Sequence, residues 1–203
     1  LRTSRLREQV RRLHGLVDVD GVLADFPTAF FREVRGVTGR QIDVADVKAW
    51  DFARAIGLSA EEESRVHERI MRPGWGRTLA PYPDAAFGVA VLRSLGTVHA
   101  LTSPWTGHPT WHADREEWLR IHTGIAPHDV THSRQKHRFA GDYLIDDKPE
   151  HVVDWATAHR GGLAILWGQP YNRGDNLFAG AVRASSWEEV ASLLRRRFGE
   201  VRQ

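Results

Sequence analysis

The stretch GLVDVDGVLADF, residues 15–26, begins as an apolar run and then sets two carboxylates, Asp18 and Asp20, one residue apart before a glycine. An apolar run that stops at a glycine reads as a strand buried on both faces, the form strands take inside a parallel sheet. Three later stretches repeat it, TVHALTSP (97–104), DYLIDDKP (142–149) and GGLAILWG (161–168), with a weaker one in GAVRASS (180–186). Helix-like segments separate them: PDAAFGVAVLRSLG (83–96) and PTWHADREEWLRIHTG (109–124), and SSWEEVASLLRRRF (185–198) closes the series with a serine cap and arginines in its last turn. Strands alternating with helices predict an α/β fold with a doubly wound parallel sheet, whose ligands bind beyond the carboxyl ends of the strands. Those ends are where the polar residues of these stretches fall.

Residues 27–82 break the alternation. FREVRGVTG (31–39), VADVKAWDFARAIG (44–57) and SAEEESRVHERIM (59–71) carry helical patterning and no strand-like run. The expected organisation is therefore a core of residues 1–26 and 83–203 with a small helical cap, residues 27–82, inserted after the first strand. The opening LRTSRLREQVRRLHG, with Leu6, Val10 and Leu13 at helical spacing, reads as an amphipathic lead-in.

Composition narrows the function classes. The 203 residues hold 28 basic and 26 acidic side chains, a net charge of +2, which does not single out a nucleic-acid groove. There is no cysteine, hence no disulfide framework and no thiolate nucleophile, and no apolar run long enough for a membrane span; a cytoplasmic protein is the expectation. Only Lys48, Lys136 and Lys148 among the basic residues are lysines, so a lysine in a chemically meaningful place carries weight.

In extended chain, residues two apart project to the same side, so Asp18 and Asp20 can face one site. Two anions this close need a compensating charge, and Mg2+ suits them, because it prefers oxygen ligands and keeps waters that a phosphate can replace. Taken singly, the DxDG pattern also fits a turn with a helix-capping aspartate. Thr102 and Ser103 end the second strand with hydroxyls and an N–H that can hold phosphate oxygens, or merely cap a helix. Lys136, before the third strand, can neutralise a phosphoryl group or stay solvated. Asp146 and Asp147 follow a buried run, a costly place for two carboxylates without a cation.

The order DxD, hydroxyl, lysine, paired aspartates resembles the four motifs of the haloacid dehalogenase superfamily. DVDGVLADF, LTSP and SRQK…DYLIDDKPE further resemble its 5′(3′)-deoxyribonucleotidase branch, over residues 15–197. The resemblance implies that Asp18 is the nucleophile, forming an aspartyl-phosphate, and Asp20 the general acid and then base. It implies Mg2+ held by the Asp18 carboxylate, the Asp20 carbonyl and the Asp146 carboxylate, with Asp147 orienting water or Lys136. Thr102, Ser103, Lys136 and loop N–H groups including that of Gly21 would hold the phosphate.

The cap would select the substrate. Phe26, Trp50 and Trp75 are candidate aromatic walls for a base, each also able simply to pack, and Trp50 is preceded by Ala49 where the family has a second aromatic. Arg134 matches a basic position that in this family lies near the substrate phosphate or sugar, and it reads otherwise as a surface arginine. The eleven histidines show no ligand pattern; His108 and His112 lie four apart without a third partner. The expected activity is Mg2+-dependent hydrolysis of a nucleoside monophosphate, a deoxyribonucleotide by resemblance. A sugar phosphate or biosynthetic phosphate ester is the alternative substrate, and a nucleotide-binding scaffold the non-enzymatic alternative. No polynucleotide or membrane partner is expected, and a homodimer is left open.

Overall fold

A computed structural model describes residues 12–177 and 180–199. Its core is one six-stranded sheet in the order β3-β2-β1-β4-β5-β6, every neighbouring pair parallel. The strands are β1 (Leu13–Val17), β2 (Gly96–Thr102), β3 (Val130–His132), β4 (Tyr143–Asp146), β5 (Leu163–Trp167) and β6 (Val182–Ala184). β4 and β5 are buried throughout, as the apolar runs predict for a sheet covered on both faces.

Among the described residues seven α-helices accompany the sheet: α1 (Phe26–Thr38), α2 (Phe52–Ala55), α3 (Ala60–Ile70), α4 (Ala85–Leu95), α5 (Trp111–Thr123), α6 (Pro149–Ala158) and α7 (Trp187–Phe198). Alternate residues of a strand feed opposite layers. Leu13 and Val17 join a large apolar cluster with Leu92, Trp118 and Trp187 of α4, α5 and α7, whereas Leu16 joins a smaller one with Val152 and Trp155 of α6. The doubly wound prediction holds.

Local chemistry fixes the helix ends. Asp25 accepts from the Thr28 N–H at 3.1 Å at the start of α1, and Ser59 with Glu62 forms a reciprocal capping box on α3. Ser186 caps α7 through the Glu189 N–H at 3.2 Å, and Arg195, Arg196 and Arg197 occupy its last turn. α1, α2 and α3 all fall between β1 and α4, in the stretch read as a helical insert. Glu33 of α1 joins α3 through Arg69 at 2.7 Å.

Three expectations need correction. The first strand ends at Val17, so both carboxylates sit in the loop beyond it, where Leu23 and Ala24 N–H groups turn back onto the Val19 carbonyl at 2.8 Å. Leu13, assigned to the lead-in helix, opens β1, because pairing with Gly96 buries it; Leu6 and Val10 lie outside the described residues. The three-residue, half-buried β3 was missed, since it has too few apolar residues to leave a periodic signal.

Candidate active site

β1 lies at the centre of the sheet, flanked by β2 and β4, with helices leaving the sheet on opposite sides: the topological switch point of an open parallel fold. Asp18 follows β1, Thr102 ends β2 and Asp146 ends β4, so three chain-distant polar residues meet at one rim. The Asp18 N–H donates to the Ile145 carbonyl at 2.9 Å, tying the loop to β4.

Lys136 stands between the two aspartates. Its Nζ lies 2.7 Å from Asp18 Oδ2 and 2.6 Å from Asp146 Oδ2, and all three residues are buried. Asp146 is further held by the Lys148 N–H at 2.9 Å, and His151 Nδ1 lies 3.2 Å from its Oδ2. Asp20, partly exposed, receives both of its contacts from Arg115 Nη2, at 2.7 and 2.8 Å. Asp147, expected to orient water or Lys136, accepts at its Oδ2 from the Tyr171 hydroxyl at 2.6 Å and at its carbonyl from the Asn172 amide at 2.7 Å. Tyr171 belongs to the short helical turn 170–172, whose preceding residue Gln169 is tied to the loop by its Nε2, donating to the Gly21 carbonyl at 2.6 Å.

Four carboxylates (Asp18, Asp20, Asp146, Asp147) thus face two fixed cations, Lys136 and Arg115, an excess of two negative charges when all are ionised. Burial and the neighbouring Asp146 push the Asp18 carboxyl up to about 7, against the pull of Lys136. Burial likewise raises Asp20 and, together with Asp146, lifts Asp147 well above the carboxylate range. At Asp146 burial acts the same way but is outweighed by Lys136 and His151, which hold the carboxyl well below its ordinary value. Raised carboxyls around an uncompensated charge are the signature of a site that suits a dication. Asp18, Asp146 and His151 each offer a donor atom within 4.8 Å of the others.

The phosphate side fits as well. Among the described residues, neither Thr102 Oγ1 nor Ser103 Oγ has a hydrogen-bond partner although both are buried. Buried hydroxyls without partners are rare, and two adjacent ones call for an acceptor-rich ligand. Gly21 is a correction: its N–H is given to the Ala24 carbonyl at 2.9 Å and so is not free for phosphate. The glycine is needed for shape, because its φ is +75° and a Cβ would come within 2.2 Å of Asp147 Oδ2.

Above this rim opens a cavity of about 580 Å³, within the ~300–1,000 Å³ common for small-molecule sites. Asp18, Asp20 and Ser103 form its floor chemistry, and Phe26, Trp50 and Arg134 line it. Trp50 is 42% exposed, with the Lys148 ammonium 3.9 Å from its ring centroid. Trp75 does not line the cavity. It is buried, its Nε1 donates to Glu33 at 3.1 Å, and it packs edge-on against Phe26, so it supports the wall rather than forming it. Trp105 lines the cavity in contact with Phe26.

Sequence reasoning missed Arg115, Tyr171 and His151. Arg115 carries no local signal, but a fully buried arginine on an otherwise amphipathic helix is its structural mark. His108 packs against Trp111 and His112 against His132, away from any shared ligand with each other.

The raised carboxyls set a pH dependence. Asp18 binds its proton more tightly folded (about 7) than unfolded (3.8), so its contribution to metal-free stability is lost as pH rises through that window. His99 and His132, kept neutral by burial, act in the opposite direction below 6.5, so Asp18→Asn is the reference that cancels them. In EDTA, the melting temperature of Asp18→Asn should exceed that of the wild type by more at pH 8 than at pH 5. A gap that closes with rising pH would contradict this.

Comparisons with known proteins bear on the family and the fold. The family described as 5′ nucleotidase, deoxy (pyrimidine), cytosolic type C, matches residues 12–198. A Bordetella pertussis protein provisionally named a 5′(3′)-deoxyribonucleotidase is 34% identical over 164 residues, covering 78% of this chain and 84% of that protein. The mitochondrial 5′(3′)-deoxyribonucleotidase of Mus musculus is 29% identical, with 93% and 88% covered. Among solved structures, a haloacid dehalogenase family hydrolase from Deinococcus radiodurans R1, solved with phosphate and sodium, superposes with a TM-score of 0.57 at 16% identity, over 94% and 98% of the two chains, a likeness of fold.

Proposed function

The chain belongs to the cytosolic type C family of 5′(3′)-deoxyribonucleotidases and is a phosphoric monoester hydrolase, and from that premise we propose that it hydrolyses deoxyribonucleoside monophosphates with Mg2+ through an aspartyl-phosphate on Asp18. The observation that carries this reading is the crowding of four carboxyl groups against two fixed cations beside two unpartnered hydroxyls, a cradle for a dication and a phosphate together.

Asp18 and Asp146 would hold Mg2+ with the Asp20 carbonyl. When bound, the ion withdraws charge from the phosphoryl oxygens and fixes them for attack. Asp18 attacks phosphorus, and the bond to the ester oxygen breaks as Asp20 delivers a proton to it. Water, losing its proton to the now ionised Asp20, then attacks the phosphorus of the aspartyl-phosphate and restores Asp18. Lys136, Thr102 and Ser103 hold the transferred group. Arg115 is a positioning residue: by gripping Asp20 from the side it aims that carboxyl into the cavity.

The helical segment 27–82 acts as the cap, with Phe26, Trp50 and Arg134 as substrate contacts, supported by their place in the cavity wall. A cytoplasmic site of action is part of the same reading, supported by the description of the family.

The test is phosphate release from a panel of ribo- and deoxyribonucleoside monophosphates, sugar phosphates and p-nitrophenyl phosphate, with Mg2+ or EDTA. Deoxyribonucleotides should lead the panel and EDTA should abolish turnover; a sugar phosphate leading by tenfold would reassign the substrate. Trp50→Ala should raise KM for nucleotides about 5- to 100-fold, the worth of one base stack. For p-nitrophenyl phosphate KM should stay nearly unchanged; equal losses on both would reduce Trp50 to packing.

A further inference from the structure

His151 is the third residue of α6, five positions after Asp146, and its ring turns back toward the end of β4. It lines the cavity, with a side chain 17% exposed. Its Nδ1 lies 3.2 and 3.4 Å from the two oxygens of Asp146, straddling the carboxylate rather than aiming at one of them. Those oxygens are already supplied with donors, Oδ1 by the Lys148 N–H at 2.9 Å and Oδ2 by Lys136 at 2.6 Å. The imidazole is a further neighbour of a carboxylate that already has a donor on each oxygen, and its ring nitrogen lies beside the oxygens that would hold the ion.

We propose that His151 is a nitrogen ligand of the divalent cation, so that this site binds borderline ions such as Co2+ and Mn2+ more tightly than Mg2+. The proposal rests on the functional reading above, which requires a dication between Asp18 and Asp146. Two ligands of one ion with bonds of about 2.1 Å lie at most about 4.2 Å apart. The donor atoms of Asp18, Asp146 and His151 lie within 4.8 Å, so a small inward turn of the side chains closes them on one ion. Mg2+ demands hard oxygen ligands and gains little from an imidazole, whereas affinity for nitrogen rises along the series from Mn2+ to Co2+. Two carboxylates and one imidazole form a mixed donor set. Mg2+ can still serve where it is abundant, but selectivity is tilted away from it.

The experiment measures ion binding on the full chain by calorimetry, using Mg2+ and Co2+ alone, for wild type, His151→Leu and His151→Asn. Wild type should bind Co2+ at least about tenfold tighter than Mg2+. His151→Leu should lose about 10- to 100-fold in Co2+ affinity and under about threefold for Mg2+. His151→Asn, which offers an amide in place of the ring, should bring the two affinities together while keeping Mg2+ binding. Pulsed EPR of the Mn2+-loaded protein supplies a readout free of activity: nitrogen-14 modulation present in wild type and absent in His151→Leu. Parallel losses for Mg2+ and Co2+, or no nitrogen modulation in wild type, would overturn the assignment and leave His151 as a residue that orients Asp146. Failure of every variant, wild type included, to bind any divalent ion would instead overturn the functional reading beneath it.

Discussion

Asp18→Asn should lower turnover about 10⁴-fold or more on every phosphate ester, a rise of roughly 5.4 kcal/mol in the barrier, while the protein stays folded and still binds substrate. The amide keeps the shape of the side chain but has no anionic oxygen to attack phosphorus. It also removes a buried charge crowded against Asp146; burial, together with that crowding, pushes the Asp18 carboxyl up to about 7. The variant should therefore melt no lower than the wild type in the absence of metal. Phosphate release and thermal melting on one preparation separate the two effects. Turnover within a hundredfold of wild type would remove Asp18 from the nucleophile's role, and a collapse of the fold would mean that the charge is structural.

Lys136→Met should be damaging in another way. The lysine is the one cation in direct contact with both Asp18 and Asp146 among the described residues, and removing it leaves two buried carboxylates facing each other. Breaking a buried pair from one side costs about 3–5 kcal/mol, because the partner's charge stays behind. The loss should be larger at pH 8 than at pH 5, where Asp18 can take a proton, and Mg2+ should recover part of it. Activity should fall about 10²- to 10³-fold even with saturating Mg2+, since the ammonium also serves the transferred phosphoryl group. Urea unfolding with and without Mg2+ checks the first claim. A variant as stable as wild type in EDTA would show that the aspartates never needed this cation.

The sheet and its rim were legible because they rest on short-range regularities. A buried apolar run ending in VDVDG or LIDDKP places carboxylates at a strand end wherever the strands stand in the sheet, and parallel order follows from the alternation with helices. The residues that tune those carboxylates were not legible in the same way. Arg115 and Asp20 are separated by 95 positions, and no pattern in PTWHADREEWLRIHTG distinguishes an arginine turned inward from one in water. His151 is only five residues from Asp146, yet their contact depends on the chain turning from β4 into α6, a geometry that neither period describes. The aromatic residues show the limit most plainly. Trp50 and Trp75 are both candidate walls in the sequence, and the burial of Trp75 with its hydrogen bond to Glu33 shows that it is the one committed to the interior. Gly21 was noticed for the right reason, closeness to the site, and given the wrong task, because the turn consumes its N–H.

Whether phosphorus is ever bonded to Asp18 can be read directly. Wild-type protein mixed with a phosphorus-32-labelled deoxyribonucleoside monophosphate and Mg2+, quenched in acid within a single turnover and reduced with borohydride, should yield homoserine at Asp18 and leave Asp20 unaltered. Release of labelled phosphate on the same time course with no label on the protein and no homoserine at Asp18 would contradict the account.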